Sequence, residues 1–114
     1  MTNHELYELK RKNFIQSTKL TFDLLLKSMG FSDAEYIYKQ ENGTVTRDEI
    51  CYKHKEKNLK IEFSNSYHPV DYGMEINVQM DSKSEMIYYK LKEEQDIEQT
   101  YIVESKNIVE QYLK

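Results

Sequence analysis

Two stretches of this chain alternate between apolar and polar residues without a break. Leu59, Ile61 and Phe63 alternate with Lys60, Glu62 and Ser64, and Met74, Ile76, Val78 and Met80 alternate with Glu75, Asn77 and Gln79. Side chains of a strand point to opposite faces in turn, so each run predicts a strand with one face on a core and one toward water. Three more strands are expected. Residues 35–40 hold Tyr36, Ile37 and Tyr38, and Asn42-Gly43 tolerates the positive φ of a tight hairpin, so residues 44–54 should return beside them. The phase of that second strand is mixed: Val45 and Cys51 share one parity, and Ile50, Tyr52 and His54 the other. Arg47-Asp48 is therefore expected to mark a bulge that switches faces. Residues 86–91 predict a fifth strand, with Ile87, Tyr89 and Leu91 on one face.

Both ends of the chain have helical spacing instead. Thr2 and Glu5 form a capping box, and Phe14, Thr18, Phe22, Leu25 and Met29 recur every three to four residues behind it. The first half of this helix, with Lys10, Arg11 and Lys12, should be the better solvated one. Gly30 suits the left-handed residue that ends a helix, and Phe31 is placed to fold back on the last turn. From about Glu93 the helical period returns. Ile97, Tyr101, Ile108 and Tyr112 line one side, joined by Ile102, Val109 and Leu113, while Glu93, Glu94, Asp96 and Glu98 sit where the helix dipole favours negative charge. The expected fold is α+β, a single domain over residues 1–114. An N-terminal helix, a five-stranded antiparallel meander and a C-terminal helix follow in order, with both helices on one sheet face. The opposite face would carry Lys60, Glu62, Glu75, Asn77 and Gln79.

Composition narrows the function. The 114 residues carry a net charge of −4, and the charge is uneven: +2 over residues 1–30, but −4 over residues 93–114. An acidic C-terminal segment disfavours nucleic-acid binding, which needs clustered Lys or Arg against phosphates, and suits a basic protein partner. The single cysteine, Cys51, allows neither an internal disulfide nor a cysteine-based zinc cage. The charged amino terminus is not a secretory signal, and the longest uninterrupted aliphatic run, residues 24–26, is far too short to span a membrane. A cytoplasmic protein is expected.

The densest local chemistry lies in the loop Tyr67-His68-Pro69-Val70-Asp71-Tyr72-Gly73 between the two alternating strands. Tyrosines add contact area and a hydrogen bond at low entropic cost, which suits an interface. The same residues also have structural uses: Pro69 restricts His68, Asp71 can cap a turn, and the tyrosines can roof the core. His54, His68, Asp71 and Cys51 show no metal-ligand spacing, so no metal site is expected. Cys51 sits inside a strand, where cysteine is commonly a small apolar residue, and no phosphate loop, dinucleotide fingerprint or Gly-x-Ser-x-Gly is present. The chain reads as a non-enzyme without a cofactor.

The run Asn65-Ser66-Tyr67-His68-Pro69-Val70-Asp71-Tyr72-Gly73-Met74-Glu75-Ile76 resembles a pattern in small bacterial proteins of unknown function, some of which look like immunity proteins of polymorphic toxin systems. That resemblance covers residues 59–80 and the helix–sheet–helix outline. It implies an inhibitor that binds a cognate toxin, with an acidic surface complementing a basic toxin domain, and implies no catalytic residue. The leading reading is thus a protein-binding domain whose contacts are Tyr67, His68, Asp71, Tyr72, Glu94, Glu98, Glu104 and Glu110. A second reading is a small-ligand pocket between sheet and helices, lined by Tyr52, Tyr89 and Tyr101. A third is a homodimeric scaffold that uses the polar sheet face or an edge strand.

Overall fold

A computed structural model of the chain describes residues 1–67 and 73–114. Helix α1 spans Asn3–Ser28, followed by strands β1 (Glu35–Glu41), β2 (Thr44–Lys53), β3 (Leu59–Ser66), β4 (Gly73–Met80) and β5 (Lys83–Leu91). A 3-10 turn at Lys92–Glu94 leads to helix α2, Tyr101–Leu113. The strands form one antiparallel sheet in the order β1-β2-β3-β4-β5, an α+β meander as the alternation predicts. No helix among the described residues is long and apolar enough to cross a membrane.

Local chemistry explains the ends of the elements. The Thr2 hydroxyl accepts from the Glu5 amide at 3.1 Å while Glu5 accepts from the Thr2 amide, so the capping box is complete. At the other end of α1 Gly30 has φ 96°, and the amides of Gly30 and Phe31 return to Lys27 and Leu26. Phe31 is buried by this reversal. Asn42 and Gly43 both have positive φ, 52° and 81°, as a twisted two-residue hairpin requires. His54 is a clamp between elements. Its Nδ1 accepts from the amides of Glu56 and Lys57, so the opposite nitrogen, Nε2, donates to the Met29 carbonyl at the end of α1.

The core lies between one sheet face and both helices. Phe14, Phe22 and Leu26 of α1 and Tyr101, Ile102 and Val109 of α2 meet Ile50, Tyr52, Ile61, Phe63, Met74, Ile76 and Val78 of the sheet. Burying a side chain such as Ile76 contributes about 2 kcal/mol. The other sheet face is polar, as expected, and its charges are laced together. Arg47 donates to Glu49 at 2.7 Å and to the hydroxyls of Ser64 and Ser66, and Lys60 pairs with Glu62 at 2.8 Å.

Three local expectations are corrected. The extra residue of the β1–β2 pair is Thr46, since Lys39 faces Arg47 while Gln40 faces Val45, and no change of face follows at Arg47-Asp48. Asp48, Ile50 and Tyr52 all point into the core and are fully buried. In β5 the extra residue is Ile87, because Ile76 faces Tyr88 but Asn77 faces Met86. The bulge inverts the parity, so Tyr88 packs on the core, whereas Tyr89 and Leu91 are exposed. Finally, α2 begins at Tyr101, eight residues after Glu93. Ile108 and Tyr112, expected in its buried stripe, are exposed, and Ser105 lies in the buried stripe instead.

Candidate functional site

The expected loop contacts His68, Asp71 and Tyr72 lie outside the described residues. Tyr67, at the end of β3, is buried, and it leads to a polar centre at one end of the core. The Asp48 carboxylate is wholly buried and accepts four hydrogen bonds: two from Arg11 at 3.1 and 3.2 Å, one from the Tyr36 hydroxyl at 2.5 Å, and one from the Tyr67 hydroxyl at 2.8 Å. Arg11 brings α1 to β2, Tyr36 adds β1, and Tyr67 adds β3. Tyr7 completes the cluster. Its hydroxyl donates to the Val45 carbonyl at 2.5 Å, its ring meets Tyr67 edge-on at 5.6 Å, and the Arg11 guanidinium lies 5.7 Å from its centroid.

Electrostatics follow from this crowding. Burial works to lower the Arg11 pKa, but the hydrogen bonds and charge of Asp48 outweigh it and hold the guanidinium above its usual value. Burial pushes the Tyr67 hydroxyl well up, and the Asp48 charge adds to that. Tyr36 is pushed up to about 12 by burial and then by its bond to Asp48. An ion pair with this geometry is costly to desolvate and costly to break. Each partner here already serves another, so the cluster holds elements together.

A neutral centre stands beside it. Asn65 is the cross-strand partner of Asp48 and is also buried. Its side-chain amide exchanges hydrogen bonds with Gln95 in both directions, 3.1 and 3.3 Å, and donates to Gln99 at 3.4 Å. Gln99 also accepts from the Tyr101 hydroxyl and donates to the Asp96 carbonyl. Gln99 is fully buried with φ 60°, a conformation that non-glycine residues seldom adopt. This explains the late start of α2. The chain dips toward Asn65 to satisfy a buried amide, and a continuous helix from Glu93 could not make that excursion. A cleft of about 400 Å³ opens alongside, with Leu6, Tyr7, Lys10, Ser66, Tyr67 and Gln95 among its walls.

Comparison with protein-family models, with curated proteins and with solved structures gives no match. Recognition therefore rests on the placement of residues. Glu94 lies in the 3-10 turn, where it accepts from the Leu91 amide, Glu98 lies in the connection, and Glu104 and Glu110 lie on α2. The acidic residues thus do not form one helix face.

The structure does not bring Tyr52, Tyr89 and Tyr101 to a common pocket. Tyr52 is buried under α1 with its hydroxyl on Asp23, and Tyr101 is buried with its hydroxyl on Gln99. Tyr89 pairs with Glu75 on the opposite sheet face, where its ring covers Gly73 so closely that an added Cβ would lie 2.6 Å from the hydroxyl. Cys51 is buried on that same polar face, and burial raises its thiol pKa, which disfavours the reactive thiolate. Among the described residues no three His, Cys, Asp or Glu side chains are grouped to hold a metal ion.

Arg11, Asp48, Asn65, Gln95 and Gln99 did not stand out in the sequence. One signal was available for Asp48, which shares the parity of Ile50 and Tyr52. A carboxylate in phase with a core face calls for a buried cation.

Proposed function

We propose that this chain is a non-enzymatic protein-binding domain that occupies a basic partner, in the manner of the immunity proteins that its β3–β4 segment resembles. The cytoplasm is the compartment this reading assumes. The observation that carries it is the state of the C-terminal acidic residues. Glu93, Glu98 and Glu104 are exposed and Glu110 is half-buried, and none of the four enters an ion pair among the described residues. Acidic residues in excess on one segment, and not held in ion pairs, raise the local potential, speed the approach of a cationic surface and weaken the folded state slightly. The buried centre supports the same reading from the other side, because its polar groups are engaged within the fold.

The test is capture of the tagged protein's partner from its native cells at low and high salt, beside the variant Glu93→Lys/Glu98→Lys/Glu104→Lys. The expected result is one stoichiometric basic partner that is lost from the variant and reduced at high salt, while the variant keeps its circular dichroism and melting temperature. A stoichiometric partner retained equally by the folded variant would overturn the acidic-surface reading. So would a partner whose own binding surface is acidic.

A further inference from the structure

The two edges of the sheet are built differently. Edge strand β5 carries an extra residue at Ile87, which kinks its free side, and a lysine near each end, Lys83 and Lys90. Bulges and lysines are common protection against pairing with another strand. Edge strand β1 has one lysine, Lys39, but no extra residue among its first five. The extra residue of the β1–β2 pair lies in β2, so residues 35–39 of β1 run in unbroken register. Every residue of β1 is exposed, including Tyr36 at 38%, Ile37 at 40% and Tyr38 at 51%. The two tyrosines are already ordered: their rings stack at 5.9 Å, and the Tyr36 hydroxyl is fixed by Asp48 and Arg11.

We infer that a second copy of this chain pairs with β1, edge to edge and antiparallel, to make one continuous ten-stranded sheet. The order Glu35-Tyr36-Ile37-Tyr38-Lys39 is complementary to itself when reversed. With a two-fold axis at Ile37, Ile37 meets the partner's Ile37, Tyr36 meets the partner's Tyr38, and Glu35 meets the partner's Lys39. The symmetry repeats each of the last two pairs. Residues an even number of positions apart share a face, so this register keeps all four tyrosines on the helix side and both charge pairs on the polar side. Opposite charges and aromatic pairs directly across a ladder are each stabilising. Sliding by two residues sets Glu35 against either the partner's Glu41 or the partner's Ile37, and both alternatives lose the charge match. Lys39 also lies 3.8 Å from Glu49 of its own chain, but it is two-thirds exposed and free to reach across. The inference is independent of the acidic segment, which follows β5 at the far edge of the sheet.

Five paired residues make a small interface, so association is expected in a concentration series from roughly 10 µM to 1 mM. Sedimentation equilibrium of the full chain should show monomer passing to dimer over that range. Glu35→Lys places lysines opposite each other twice and should weaken the dimer about tenfold or more. The swap Glu35→Lys/Lys39→Glu restores opposite charges and should recover most of the loss. A chain that stays monomeric at the highest concentration overturns the inference. A dimer indifferent to Glu35→Lys, or one not recovered by the swap in folded protein, does so equally.

Discussion

Asp48 and Asn65 face each other across β2 and β3, and both are buried, yet the fold satisfies them by different chemistry. Asp48 is charged, and its partners come from three separate elements: Arg11 of α1, Tyr36 of β1, and Tyr67 at the end of β3. Asn65 is neutral, and its partners both come from the connection between β5 and α2. The charged centre gathers elements far apart in sequence around one carboxylate, because a buried charge demands several donors at once. The neutral centre needs only amides, and it shapes a single connection. The difference teaches that, side by side in one core, a charge orders the packing of a helix while an amide orders the path of a loop.

The largest test removes the charge. Asp48→Ala leaves the Arg11 guanidinium with only the exposed Glu8 carboxylate, 4.0 Å away, and two tyrosine hydroxyls without their acceptor. It should cost about 3 kcal/mol or more, read as a lower denaturant midpoint. Asn65→Ala is the matched test of the neutral centre. Gln95 keeps the Lys90 carbonyl and Gln99 keeps the Asp96 carbonyl, so the loss should be about 1–2 kcal/mol. Equal losses from the two variants would erase the distinction between the centres.

A third effect is confined to alkaline solution. Tyr36 is raised from an ordinary value of 10.0 to about 12, and the pKa values of Tyr67, Tyr52 and Tyr101 are also raised, chiefly by burial. A group whose folded pKa is raised keeps its full contribution below its unfolded value and loses it as pH climbs toward the folded one. Stability should therefore be flat with respect to these tyrosines below about pH 10 and fall from there toward pH 12. Two of them, Tyr36 and Tyr67, bond to Asp48. The slope should accordingly be shallower in a folded Asp48→Asn variant, where the carboxylate charge no longer opposes tyrosinate. Tyrosinate absorbance and chemical unfolding across that range would measure it, and an unchanged slope would remove Asp48 from the cause.

Much of the architecture was legible. The alternation of residues 60–63 and 74–79 matches the buried and half-exposed faces of β3 and β4, although at the strand ends Ser64 is buried and Met80 exposed, and Phe14, Thr18 and Phe22 form the buried stripe of α1 as their spacing predicts. These patterns are local and survive any tertiary context that supplies a core. The errors sit where one residue is inserted or one long-range bond is required. The bulge at Ile87 reversed the face of every β5 residue beyond it, and Thr46, not Arg47-Asp48, absorbed the irregularity of β2. The candidate site was the least legible part. Arg11 looked like a solvated member of a basic run, because its partner Asp48 lies 37 positions away.

By itself the sequence determined the order of the elements, the capping of α1, the turn at Asn42-Gly43, and which residues of β3 and β4 face the core. Each follows from spacing, backbone preference or a partner within a few residues. The tertiary structure alone decided the burial of Asp48 beside Asn65, the dip that delays α2, and the separation of Tyr89 from Tyr52 and Tyr101. Those outcomes depend on satisfying buried polar groups and on strand register, and both require partners that only folding brings together.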